Sequence, residues 1–78
     1  MYEPSERMAK QIDNAFTYHA PTGNQGDRYS AVRAAGGGLA NFLVTQCPDS
    51  RELSLAITSL QDAIMWANAA IACNEEPI

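Results

Sequence analysis

The chain has 78 residues, which is enough for one domain. A chain of this size hides only roughly 60% of the surface its unfolded form exposes, so its own core is marginal and support from a disulfide, a metal or a partner chain is the rule. Hydrophobic residues make up 46%, charged residues 18%, and the net charge is −4, which excludes a disordered tail. Only five residues are Lys or Arg, too few for the clustered cations of a nonspecific DNA or RNA binder.

No apolar run approaches the ~20 residues of a membrane-spanning helix, so no membrane partner is expected. The stretch MYEPSERMAK (1–10) carries acids and a proline where a secretory signal needs a basic start and an apolar run. A cytoplasmic location is expected. Cys47 and Cys73 lie far apart, and neither has a second Cys or His at ligand spacing, so both are expected as free thiols without zinc. Charge is uneven along the chain. Residues 1–39 hold four basic and four acidic groups, whereas residues 40–78 hold one and five. An anionic ligand would be drawn to the first half, around Arg28 and Arg33.

Three helices and no strands are expected in a single domain, 1–78. The first runs from about Ser5 to Phe16, since Pro4 suits a helix entrance and Ser5 a cap. Met8, Ile12 and Phe16 form its narrow apolar stripe. The breaker segment APTGNQGD (20–27) follows. The second helix is then predicted from Asp27 as N-cap to Gln46, with Val32, Ala35, Leu39 and Phe42 as its seam. Gly36, Gly37 and Gly38 conflict with it, because each costs ~1 kcal/mol relative to Ala inside a helix. They imply either a distorted helix or close approach of a backbone or ligand.

The segment CPDS (47–50) makes the second break. Beyond it, the Asp49–Glu52 spacing resembles a capping box. The third helix runs from there to about Asn74. Leu53, Ile57, Leu60, Ile64, Ala67 and Ile71 form a heptad seam, and the short connection predicts an antiparallel hairpin with the second helix. A second apolar stripe, Leu55, Met65, Trp66, Ala69 and Ala72, exceeds what one partner helix can cover. The first helix covers part of it, or another copy of the chain does.

No catalytic constellation is visible. His19 is the single histidine, and GGGLAN lacks the Lys-Ser/Thr ending of a phosphate loop, so no enzyme and no cofactor are expected. Phe16 is expected to plug the end of a small core. Tyr18 falls off the stripe, which leaves packing and ligand stacking equally open. His19 is expected as a structural hydrogen-bonding residue, and Tyr29 as part of the hairpin packing. Trp66 is expected in a core or oligomer contact. Asn68 and Asn74 need partners if they are buried.

The pieces NAFTYHAP (14–21), QGDRYSAVR (25–33) and CPDSRELSLAITSLQDAIMWANAAIACNE (47–75) resemble small helical bacteriophage proteins. These are the anti-CBASS sponges, which sequester cyclic oligonucleotide messengers and share a hairpin domain with anti-Thoeris sponges. The resemblance implies an all-α homo-oligomer, a homohexamer in the family, acting in the cytoplasm of the infected host. It implies cyclic dinucleotides such as cGAMP, and in some members cyclic trinucleotides, held between protomers without cleavage. CBASS effectors are thereby starved of their activator. It also implies two ligand-binding residues: Tyr18, stacking on a base, and Arg33, contacting the messenger. Two positions depart from the pattern. Cys73 stands where relatives carry a basic residue, which implies a preference for dinucleotides, and Gly36–Gly38 stand where better helix formers are usual. The rival expectation is a helical hairpin that only oligomerises or docks a protein, with no small ligand.

Overall fold

The computed structural model describes residues 1–75; the last three positions of the expected domain, 76–78, lie outside the described residues. Three helices follow one another, α1 (Glu6–Phe16), α2 (Gln25–Gln46) and α3 (Arg51–Asn74), and no strand occurs among the described residues. Ser5 caps α1 as expected, its Oγ accepting the Met8 N–H at 3.0 Å. The cap of α2 lies three residues earlier than the Asp27 predicted. Asn24 takes the cap position, the Gln25 N–H donates to the Thr22 carbonyl, and Asp27 sits inside the first turn. Gly23 provides the turn before it with φ 54°, a left-handed conformation that favours glycine. The α3 cap also moves by one residue. Ser50, not Asp49, takes the role, because its Oγ accepts the Leu53 N–H at 3.1 Å.

The antiparallel hairpin of α2 and α3 is the body of the structure. Gln25 at the start of α2 bonds Glu75 just past the end of α3, and Gly36 meets Ile64 half-way along. The seam of α3 follows the sequence pattern from Leu53 to Ile64. Asn68 then replaces Ala67, which is exposed, and Ile71 closes the row. The seam of α2 departs from the expected one. Val32, Gly36, Ala40 and Leu43 face α3, while Ala35, Leu39 and Phe42 are exposed. The cause is Gly36. Without a Cβ it lets Ile64 approach the helix axis, and this close approach outweighs the larger side chains on the neighbouring face. The helix itself continues unbroken through Gly36–Gly38.

No apolar side chain of this hairpin is fully buried among the described residues. The layer measures 48 × 40 × 13 Å, hardly thicker than one helix. The chain exposes 6374 Å², against roughly 4,600 Å² for a compact folded chain of 8.4 kDa. Phe16 does not plug a core, being 86% exposed, because α1 lies across the end of α3 instead of inside the hairpin. Of the second stripe, Ala69 and Ala72 are half-covered, while Leu55, Met65 and Trp66 stay exposed, Trp66 at 67%.

Candidate ligand-binding site

Tyr18 lies in the loop between α1 and α2. The loop is tied to α1 by two bonds: Thr17 Oγ1 donates to the Asp13 carbonyl at 2.6 Å, and His19 Nε2 bonds the Asn14 carbonyl at 2.7 Å. His19 thus has the structural role expected of it. Between these anchors the Tyr18 ring is 85% exposed, so packing does not occupy it within one protomer. An exposed aromatic face on an anchored loop is available for stacking.

Arg33 projects from α2 at the rim of an apolar groove of about 330 Å³. Gly36, Gly37 and Ala40 form one wall, and Ile57, Leu60 and Ile64 the other. Its only side-chain partner among the described residues is Ser30 Oγ at 3.5 Å, and no carboxylate pairs with it. An unneutralised guanidinium beside apolar surface is suited to a phosphate or a base edge, since its planar fork donates two parallel bonds.

Arg28 behaves differently, which narrows the expectation that an anion is drawn to the region around Arg28 and Arg33. Its two terminal nitrogens donate to both Glu75 oxygens, at 3.0 and 2.7 Å. The bond from Arg28 and then that from Gln25 hold the Glu75 carboxyl below its usual range. The same bond raises Arg28 above its already high value. Arg28 is therefore paired within the hairpin, whereas Arg33 carries no carboxylate partner among the described residues.

The structure brings Tyr18 and Arg33 to different elements. Tyr18 lines neither the groove at Arg33 nor the small cavity beneath its own loop, which His19, Thr22, Gln25 and Glu75 share. A single protomer does not assemble a closed site from the two. Among the described residues no group of His, Cys, Asp and Glu has a metal-binding arrangement, and no helix is long and apolar enough to cross a membrane.

The residues that hold this region were missed in the sequence. Gln25 is 7% exposed and ties Thr22 to Glu75. A signal existed, because Thr22 and Gln25 have the S/T-x-x-E/Q spacing of a capping box, whose second residue reaches back to the first backbone N–H. Asn14 also went unread. Its Nδ2 donates to the Cys73 carbonyl at 2.8 Å and fastens α1 to α3.

A family model described as Acb2/Tad1, hairpin domain, matches residues 8–72. The chain belongs to this family. The match takes in Tyr18, Arg33 and nearly the whole hairpin. Acb2/Tad1 proteins are known for sponge-like binding of cyclic oligonucleotides, and the family is one of ligand binders, not enzymes. Neither the curated proteins nor the solved structures compared with the chain gave a match.

Proposed function

We propose that this protein is a phage anti-defence sponge. It binds cyclic dinucleotides in pockets shared between copies of the chain and withholds them, uncleaved, from CBASS effectors in the cytoplasm of an infected bacterium. Membership of the Acb2/Tad1 hairpin family over residues 8–72 carries this reading. The exposed ring of Tyr18 and the unpaired Arg33 support the choice of site.

The flatness of the protomer supports assembly. Its surface exceeds that of a compact chain of this mass by roughly 1,800 Å², enough for about two standard contacts of ~800 Å² per partner. A ring satisfies this, because each copy then meets two neighbours; a homohexamer is the order proposed. A cyclic dinucleotide carries two negative charges and two bases in approximate two-fold symmetry. A pocket on a two-fold axis supplies two copies of Tyr18 and Arg33. A chain with a net charge of −4 can hold a dianion in this way, because the two cations are local while the acids are spread along the chain. Cys73 in place of a base near the end of α3 supports a preference for dinucleotides over trinucleotides.

Calorimetry with a panel of cyclic di- and trinucleotides, followed by release of the ligand on denaturation, tests the proposal. Tight binding and intact ligand are expected. Cleaved ligand means an enzyme. Absence of binding by a well-folded oligomer means a purely structural hairpin.

A further inference from the structure

We propose that Gln25 is a positioning residue for the ligand site: through a relay Thr22–Gln25–Glu75–Arg28 it holds the Tyr18 loop on the hairpin without touching ligand. This rests on the function proposed above. Gln25 Oε1 accepts from the Thr22 N–H at 2.9 Å and from Thr22 Oγ1 at 3.2 Å. Its Nε2 donates to Glu75 Oε1 at 3.0 Å, and Glu75 is in turn gripped by Arg28. Gln25 is the buried polar residue among those described.

The chemistry of the relay demands an amide. One side of Gln25 meets two donors and the other meets a carboxylate, so the residue must accept at one end and donate at the other. Among side chains that do not titrate, only Gln and Asn offer both at once on one planar group, and Gln has the longer reach. A carboxylate in its place still accepts from Thr22 but opposes the Glu75 carboxylate at about 3 Å in a partly buried setting. An apolar residue strands the Thr22 N–H and leaves Glu75 held by Arg28 alone.

The relay is one of two tethers between the Tyr18 loop and the hairpin. The loop is anchored to α1 through Thr17 and His19, but α1 itself is fastened to the hairpin through the Asn14–Cys73 bond. Arg33 stands on α2, rigidly part of the hairpin. The placement of Tyr18 relative to Arg33 thus passes through two tethers, Asn14 at one end of the loop and Thr22–Gln25 at the other. A loop already ordered before binding does not spend binding energy on being ordered.

The test titrates wild type, Tyr18→Ala, Gln25→Leu and Gln25→Glu with 3′,3′-cyclic GMP-AMP at about pH 7.5 and about pH 5, where two adjacent carboxyl groups share one proton. Oligomer mass, helical signal and amide exchange of residues 17–24 are recorded alongside. His19 lines the same small cavity as Gln25 and Glu75, and Arg28 grips Glu75, so each variant is compared with wild type at the same pH. At the higher pH both Gln25 variants are expected to bind about tenfold more weakly, with mass unchanged and with faster exchange at Thr22. At the lower pH Gln25→Glu is expected to recover and Gln25→Leu is not, because the added proton restores a donor toward Glu75 in the first variant alone. A merely structural loss does not return with a proton. Wild-type affinity in both variants overturns the proposal, and so does a Gln25→Glu defect equal at both pH values. Should Gln25→Leu fail to assemble, the two-pH comparison of Gln25→Glu decides alone. If wild type itself does not bind the probe, the functional reading fails instead, and protection of the Thr22 amide that is lost in Gln25→Glu at the higher pH still shows the relay holding the loop.

Discussion

Gly36 lies so close to Ile64 that a Cβ built on it would stand 2.5 Å from Ile64 Cγ1 and 2.7 Å from Cδ1. The two helices meet at this point, and the missing methyl sets their separation. Gly37 and Gly38 have open space at the same position. Three adjacent glycines therefore differ in function although they are identical in sequence.

The first prediction follows from that difference. Gly36→Ala is expected to destabilise by about 1–3 kcal/mol through overpacking against a β-branched side chain, partly offset by ~1 kcal/mol of helix propensity. Gly38→Ala is expected to stabilise by about 0.4–1 kcal/mol, since the helix is kept and the unfolded chain loses freedom. Chemical denaturation of both variants checks the pair. A Gly36→Ala protein as stable as Gly38→Ala would mean that the helices separate freely and that Gly36 is not their contact.

The same glycine explains what the sequence revealed and what it hid. Helix ends were legible where a side chain caps the next turn, as Ser5 does for α1. The hairpin was legible because α3 repeats its apolar residues over five turns. The α2 seam was not, because hydropathy weighs Leu39 and Phe42 above a residue with no side chain, whereas the close approach to Ile64 selects Gly36. Of the candidate site, Tyr18 and Arg33 could be singled out by residue type and by resemblance. Gln25 and Glu75 are separated by 50 positions, and no periodicity connects them. Only the folded hairpin brings them together.

The second prediction concerns acid. The folded state depresses the Glu75 carboxyl below its ordinary value, mainly through the Arg28 bond. A group depressed on folding contributes stability above its unfolded pKa and loses it as pH falls through the folded one. The melting temperature of wild type is therefore expected to fall as pH drops from the ordinary carboxyl value of 4.5 downward. Glu75→Gln, which cannot titrate, is expected to lack that part of the fall. Because both partners are partly exposed, high salt should shrink the difference between the two proteins. Superimposable acid profiles would show that the Arg28–Glu75 pair adds nothing to the fold.

The third prediction concerns Trp66, the sole tryptophan. It is 67% exposed in the protomer, beside exposed Met65 on the outer stripe of α3. If copies of the chain cover that stripe, the indole emission is blue-shifted in the assembled state and moves red as dilution separates the copies. Light scattering over the same concentrations gives the mass in parallel. Trp66→Ala is expected to lower the mass or weaken assembly, as truncation of a central aromatic anchor costs about 2 kcal/mol or more. A monomeric wild type at micromolar concentration removes the shared-pocket proposal altogether.

The fourth prediction tests the pocket residues directly. Base–aromatic stacking is worth about 1–3 kcal/mol per base by alanine substitution, and a charge-assisted bond about 1.5–3 kcal/mol. The proposed two-fold pocket would hold each substitution twice, so Tyr18→Ala and Arg33→Ala are each expected to weaken dinucleotide binding by at least about tenfold. The conservative variants separate the forces involved. Tyr18→Phe keeps the ring and should keep most of the affinity if stacking dominates. Arg33→Lys keeps the charge but loses the planar fork, so an intermediate loss is expected. All four variants should retain the helical signal and the oligomer mass, since Tyr18 is open to solvent and Arg33 bonds nothing but Ser30 among the described residues. Unchanged affinity in both alanine variants, with the assembly intact, would remove these residues from the site. Collapse of the assembly in Tyr18→Ala alone would instead make the ring an intersubunit contact, buried by a neighbouring copy and not by a base.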